Sequence, residues 1–189
     1  MFLGHFAIGV AAKPWAPTMP IWILFLAPQF MDVLFLALFP FGIEGLHPEG
    51  NLDVYGQFRG NILYTHSLVG ALVIAAVAYG IGRRFWKTSA NGWWLAGLSF
   101  SHWPVDLIVH QPDMPILPGN LGSLPLLGLG GWNFPVAILT IEILMAVVGL
   151  ALYLRWAVKE KPSARWYVGP AVIFLLFAIQ AAGALSQLP

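Results

Sequence analysis

The residues best suited to chemistry in this 189-residue chain stand inside apolar segments. His102, Asp106 and His110 recur at intervals of four, so on an α-helix they share one face. An Asp at the centre of a membrane helix costs roughly 2.5 to 3.5 kcal/mol, so a carboxylate there needs a partner or a purpose. Imidazole and carboxylate groups on one face are donors that a divalent cation accepts. The spacing therefore predicts a metal-binding face, on which His110, near the boundary of its segment, is either a ligand or a hydrogen-bond partner between helices.

Other ionisable residues reach a comparable depth in neighbouring apolar segments. At about 1.5 Å per residue, Asp32 lies roughly 10 Å and Glu142 roughly 12 Å from the outer ends of their segments, with His66 at a similar level. By the same rise per residue, His5 comes near the middle of a bilayer from the other side. These positions predict one site in the outer half of the membrane. Asp32 and Glu142 each stand alone among apolar residues, so either is a candidate ligand or general base.

The composition of the chain indicates the class of protein to which these residues belong. Hydrophobic residues make up 59% of the chain, charged residues only 9%, and the mean hydropathy is +0.77. These values indicate an integral membrane protein. The net charge of +1, without a long basic cluster, excludes a nucleic-acid partner. Cysteine is absent, so a metal must be held by His, Asp or Glu.

The predicted fold is all-α: a polytopic membrane helical bundle that forms a single domain over residues 1–189. It comprises an N-terminal half-helix, too short to cross a bilayer, and about five transmembrane spans. The half-helix covers Phe2 to Lys13 and is followed by three prolines that break it. The spans are the apolar segments 19–39, 61–82, 90–110, 134–157 and 167 to about 186.

Basic residues beside these segments predict the orientation. Lys13, the cluster 83–87 and the cluster 155–165 fall on one side, which the positive-inside rule places in the cytoplasm. The long loops 41–60 and 111–133 are then outside. We interpret the ionisable residues of these loops as solvated loop or turn residues: Glu44, His47, Glu49, Asp53 and Asp113.

Several short motifs resemble those of bacterial membrane-bound metal-dependent hydrolases of the YdjM-like type. The motifs are Gly4-His5, an acid after a proline in Pro28 to Asp32, Tyr64 to Ser67, and Ser101-His102 with Asp106. A closely similar, little-characterised bacterial inner-membrane family shares the run 100–113 and the later Glu142. The resemblance covers residues 4 to 142. It implies a multi-pass protein of the bacterial inner membrane, with a metal site at His5, Asp32, His66, His102 and Asp106.

The chain departs from the YdjM-like pattern at two places. Gln29 stands where the family has one of two paired acids, and Asn61 to Tyr64 replace a His-Arg-Gly run. Fewer ligands remain than a two-metal site needs, so we expect about one metal per chain. Zinc is the first expectation, with manganese or iron next, because mixed imidazole and carboxylate shells accept all three.

Three functions are compatible with these residues. The leading hypothesis is an intramembrane hydrolase that cleaves a lipid-linked ester, amide or phosphoester through a metal-activated water, with Asp32 or Glu142 as base. Its partners would be membrane lipid and a lipid-like substrate. The alternatives are a proton- or cation-coupled transporter and an accessory subunit whose polar residues join helices. The sequence indicates no oligomeric state.

Overall fold

The computed structural model describes residues 2–48 and 58–160, together with Tyr167, Ala171, Val172, Leu175 and Ile179. This part of the chain is mostly helical, which confirms the all-α prediction. The helices are α1 (Phe2–Ala11), α2 (Ile21–Leu26), α3 (Phe30–Leu38), α4 (Leu68–Trp86), α5 (Ser89–Val109) and α6 (Pro135–Glu160). A small antiparallel hairpin joins β1 (Gly45–Pro48) to β2 (Phe58–Asn61).

Three helical segments among the described residues are long and apolar enough to cross a membrane. They are Ile21–Phe41, Leu68–Trp86 and Pro135–Glu160. The first segment is composite, because a 3-10 turn at Ala27–Gln29 separates α2 from α3. Contiguous apolar side chains lie exposed on these helices, as is typical of surfaces that face lipid. They include Val33, Leu34, Leu36, Leu72, Val73, Val77, Leu144, Val147 and Val148.

The count of about five spans is not confirmed. The third expected span is present as helix α5, but its polar residues, among them Asn91 and Ser99, lower its apolar character. The second expected span began at residue 61, whereas α4 begins at Leu68. Ser67 caps that helix by accepting a hydrogen bond from Gly70 N at 2.9 Å. The fifth expected span lies almost entirely outside the described residues.

Helix α1 packs against α2, α5 and α6, so it occupies a central place in the bundle. Its contact with α6 depends on Gly149, where an added Cβ would lie only 2.6 Å from the carbonyl oxygen of Ala7. Small residues permit such close approach of helices in membranes. The close packing places the early residues of α1 inside the bundle.

Lys13 differs from the solvated charge that the positive-inside interpretation assumes. Its side chain is fully buried, and Nζ donates hydrogen bonds to the carbonyl oxygens of Pro17 at 2.8 Å and Met19 at 2.6 Å. The ammonium also lies 5.0 Å from the centroid of the Trp156 ring. Lys13 therefore fixes the connection between α1 and α2. Arg83 and Arg84, by contrast, are exposed as expected.

Candidate metal centre

Helix α5 supplies the centre of the site through His102 and Asp106. Both side chains are buried, and Nε2 of His102 lies 2.9 Å from Oδ2 of Asp106 one turn later. On its other side, Nδ1 of His102 lies 2.6 Å from the carbonyl oxygen of Pro28. A carbonyl only accepts, so Nδ1 carries a proton. Nε2 faces the Asp106 carboxylate either as an N–H donor or, in the neutral ring, with a lone pair that a cation can take.

The break between α2 and α3 positions the Pro28 carbonyl. Gln29 leaves α-helical geometry with φ −95° and ψ 2°, and the 3-10 turn at Ala27–Gln29 redirects the chain. Interrupted helices in membrane proteins are tolerated where the irregular backbone finds a polar partner inside the protein. His102 is such a partner. The break also sets the start of α3, which carries Asp32 in its first turn.

His66 is oriented by a chain of hydrogen bonds that begins at Glu44, in the segment between α3 and α4. Its Nδ1 lies 2.8 Å from Thr65 Oγ1, and that hydroxyl donates to Oε2 of Glu44 at 2.7 Å. Since the hydroxyl proton goes to the carboxylate, the hydroxyl oxygen accepts from His66 Nδ1. Glu44 Oε1 also accepts the backbone N–H groups of Tyr64 and Thr65. His66 therefore presents the lone pair of Nε2, as His102 does.

These lone pairs converge with two carboxylates on one small volume. The Nε2 atoms of His66 and His102 are 3.3 Å apart, and each is within 3.5 Å of Asp32 Oδ1. Asp106 Oδ2 lies 3.6 Å from His66 Nε2. Ligand atoms at about 2.0 to 2.2 Å from one metal are themselves about 3.0 to 3.5 Å apart. Without a metal, protons on the Nε2 atoms can satisfy the carboxylates, and a divalent cation can take the place of those protons, so the donor set fits a metal.

His5 joins this cluster from α1. Its Nε2 lies 3.0 Å from Asp106 Oδ1, and its ring stacks on the ring of His102 with centroids 3.8 Å apart. Among the described residues, His5, His102 and Asp106 form one group of potential ligands, and Asp32, His66 and His102 form another. The structure thus brings together the five residues of the metal site that the resemblance implies. His102 belongs to both groups.

Two further predicted residues are placed differently. His110 follows the last residue of α5, and its Nε2 lies 3.5 Å from Asp106 Oδ2, as the four-residue spacing predicts. Glu142 is fully buried on α6, and it belongs to neither group of potential ligands formed by the described residues. Its role as a base stays a prediction.

Asp32 differs from the other residues of the cluster in its exposure. Its side chain is 37% exposed, whereas those of His66, His102 and Asp106 are at most 4% exposed. Asp32 stands on α3 beside exposed apolar side chains such as Leu36. A small molecule would therefore meet the cluster at Asp32.

Sequence reasoning missed two buried acids that support the histidines. Glu44 orients His66 through Thr65, and Asp113 Oδ1 lies 3.0 Å from Nδ1 of His110. Asp113 follows His110 by three residues, and this short spacing could have predicted their contact. Glu44 is 21 residues away from Thr65, and no local sequence pattern predicts their contact.

No protein-family model, curated protein or solved structure matches this chain. The assignment of a metal centre therefore depends on the donor atoms and their geometry.

Proposed function

We propose that this protein is a membrane-embedded, divalent-metal-dependent hydrolase that acts on a lipid-like substrate. The observation that carries the proposal is that the Nε2 atoms of His66 and His102 each lie 2.9 to 3.6 Å from both Asp32 Oδ1 and Asp106 Oδ2. The resemblance to YdjM-like metal-dependent hydrolases of the bacterial inner membrane agrees with this proposal. The outer half of the bilayer is the proposed depth of the site.

Some residues of the chain would bind the metal, and others orient the side chains that bind it. His66, His102 and Asp106 would bind it directly, with Asp32 and His5 at the edge of the site. When bound, a divalent metal supplies a Lewis acid and lowers the pKa of a water towards about 7. The acceptors at the Nδ1 atoms hold each ring in the required tautomer and increase its basicity.

Asp32 is the proposed proton acceptor. It is the half-exposed carboxylate of the cluster, so a substrate and a water can reach it while Asp106 stays enclosed. The exposed neighbours on α3 are apolar, among them Val33 and Leu36, which suits an amphiphile approaching from the bilayer. An ester, amide or phosphoester of a lipid is the proposed substrate class. Glu142 is the second candidate for the base.

Amide replacement of Asp32 tests this role. We expect purified Asp32→Asn to keep the metal content of the wild type but to hydrolyse members of a lipid ester, amide and phosphoester panel about 100-fold or more slowly. Glu142→Gln is measured in parallel, and the exposed Glu160→Gln is the control that should keep wild-type rates. Loss of metal together with activity would make Asp32 a ligand instead.

Two results would contradict the hydrolase proposal. One is a fully metallated wild-type protein that turns over no member of the panel. The other is metal-dependent proton or cation flux in liposomes without hydrolysis, which would favour a transporter.

A further inference from the structure

His110 lies closer to the cluster than a structural histidine at the end of a helix requires. Its buried ring lies 5.9 Å from the ring of His66 and 4.3 Å from the ring of Trp132, measured between centroids. Its Nε2 is 3.5 Å from Asp106 Oδ2. The same carboxylate oxygen lies 2.9 Å from His102 Nε2 and 3.6 Å from His66 Nε2. Three Nε2 atoms therefore surround one oxygen.

The tautomer of His110 is fixed in the same way as those of the other two histidines. Its Nδ1 lies 3.0 Å from Oδ1 of the buried Asp113, and a carboxylate only accepts. The second oxygen of Asp113 accepts the backbone N–H of Gly60 at 2.7 Å, which ties β2 to the site. Nδ1 of His110 thus carries a proton, and in the neutral ring the lone pair of Nε2 is left for a cation on the side of Asp106 Oδ2.

We propose that His110 is a third imidazole ligand and that the centre takes a six-coordinate divalent metal, manganese or iron(II). The inference rests on the proposed metal function. His66, His102 and His110 supply three imidazoles and Asp106 supplies a carboxylate, while Asp32 stays beside the metal as the proposed base. Catalytic zinc sites keep three protein ligands and one open position, so four protein donors exceed their need. A six-coordinate metal with four protein donors retains two open positions for substrate and water.

The preference for manganese or iron changes the expectation from sequence, which put zinc first. His110, supported by Asp113, adds a donor from the end of α5. His5 then acts through Asp106, because its Nε2 lies 3.0 Å from Oδ1 of that carboxylate, whereas the three other Nε2 atoms lie within 3.6 Å of Oδ2.

X-ray absorption spectra of the wild-type protein loaded with Mn²⁺ test this inference without any enzyme assay. We expect three imidazoles and six ligands around the metal, and two imidazoles in His110→Gln. In Mn²⁺ titrations, Asp113→Asn should weaken binding about 10- to 100-fold, the usual effect of losing the partner of a ligand. His110→Gln should weaken it at least as much, and His47→Gln is the control that should bind like the wild type.

Two imidazoles in the wild type, or unchanged Mn²⁺ affinity in His110→Gln, would overturn the inference. If His110→Gln does not fold, the wild-type spectrum and Asp113→Asn still decide it. Wild-type protein that binds no metal would overturn the proposed function as well. If His102→Ala loses metal while His110→Gln retains full affinity, only the third ligand is wrong.

Discussion

At the scale of single residues, the site is defined by what lies behind each imidazole. Nδ1 of His102 faces a carbonyl, Nδ1 of His66 faces a hydroxyl, and Nδ1 of His110 faces a carboxylate. All three partners accept a hydrogen bond from Nδ1, so each neutral ring has the lone pair of Nε2 available for a cation. Such partners commonly determine how well a histidine binds metal. Each residue of the motif Thr65-His66-Ser67 has its own role. Thr65 connects His66 to Glu44, His66 is the proposed ligand, and Ser67 caps α4.

Replacing Thr65 by Val tests the relay. Val keeps the volume of Thr but removes the hydroxyl, so His66 Nδ1 loses its acceptor and Glu44 Oε2 loses its donor. We expect the affinity for Mn²⁺ or Zn²⁺ to fall about 10- to 100-fold. Ser67 still caps α4, so the helical content measured by circular dichroism should not change.

The control for this variant is Ser101→Ala. Ser101 adjoins His102 in sequence, but its hydroxyl donates to the carbonyl oxygen of Leu98 within the same helix, at 2.7 Å. Its loss should leave metal affinity unchanged. Equal affinities for Thr65→Val and Ser101→Ala would show that the relay to Glu44 does not tune the site.

At the scale of elements, the site is assembled from α1, α3, α5 and the residues that precede α4. Only the pair His102 and Asp106 shares one helix, which is why the four-residue spacing found it from sequence. The break at Pro28 has two consequences. It frees a carbonyl for His102, and it sets the start of α3, the helix that carries Asp32. Prolines in the sequence mark such a break but do not say which partner the carbonyl finds.

The packing of α1 on α6 should control the position of His5. In Gly149→Val the new side chain would meet the carbonyl of Ala7, where an added Cβ lies only 2.6 Å away, so α1 must shift. Overpacking of this kind typically costs about 1 to 3 kcal/mol. We expect a lower melting temperature in detergent and weaker metal binding, since His5 moves relative to Asp106.

Gly80→Val is the matched control for this substitution. It introduces the same side chain into a helix, but nothing lies within 4 Å of a Cβ built at Gly80. Both variants carry the same intrinsic cost of a β-branched residue in a helix. If they have the same melting temperature, the contact between Gly149 and Ala7 does not hold α1 in place.

At the scale of the whole molecule, apolar side chains cover much of the outer surface of the helices, and the histidines and carboxylates of the cluster meet inside the bundle. Composition predicted this class, and the rise per residue of a helix predicted that Asp32, His66 and His102 reach one level. Both predictions depend on geometry that every helix shares. The ligand set could therefore be found before any contact was known.

Other features depend on contacts between distant parts of the chain, and the sequence did not reveal them. Glu44 was interpreted as a solvated loop residue, yet it is buried and accepts hydrogen bonds from Tyr64 and Thr65. The segment 61–67 looked like helix from its apolar character, but Asn61 pairs with Gly45 in the hairpin. Lys13 looked like a surface charge, but two carbonyl groups accept its hydrogen bonds.

The central claim is that the converging histidines and carboxylates hold a divalent metal. Elemental analysis of the detergent-purified protein tests it most directly. We expect about one metal per chain in the wild type and in His47→Ala, and little metal in His66→Ala or His102→Ala. Wild-type protein without metal, or His102→Ala with the same metal content as the wild type, would contradict the claim and leave the cluster as hydrogen bonds that join helices.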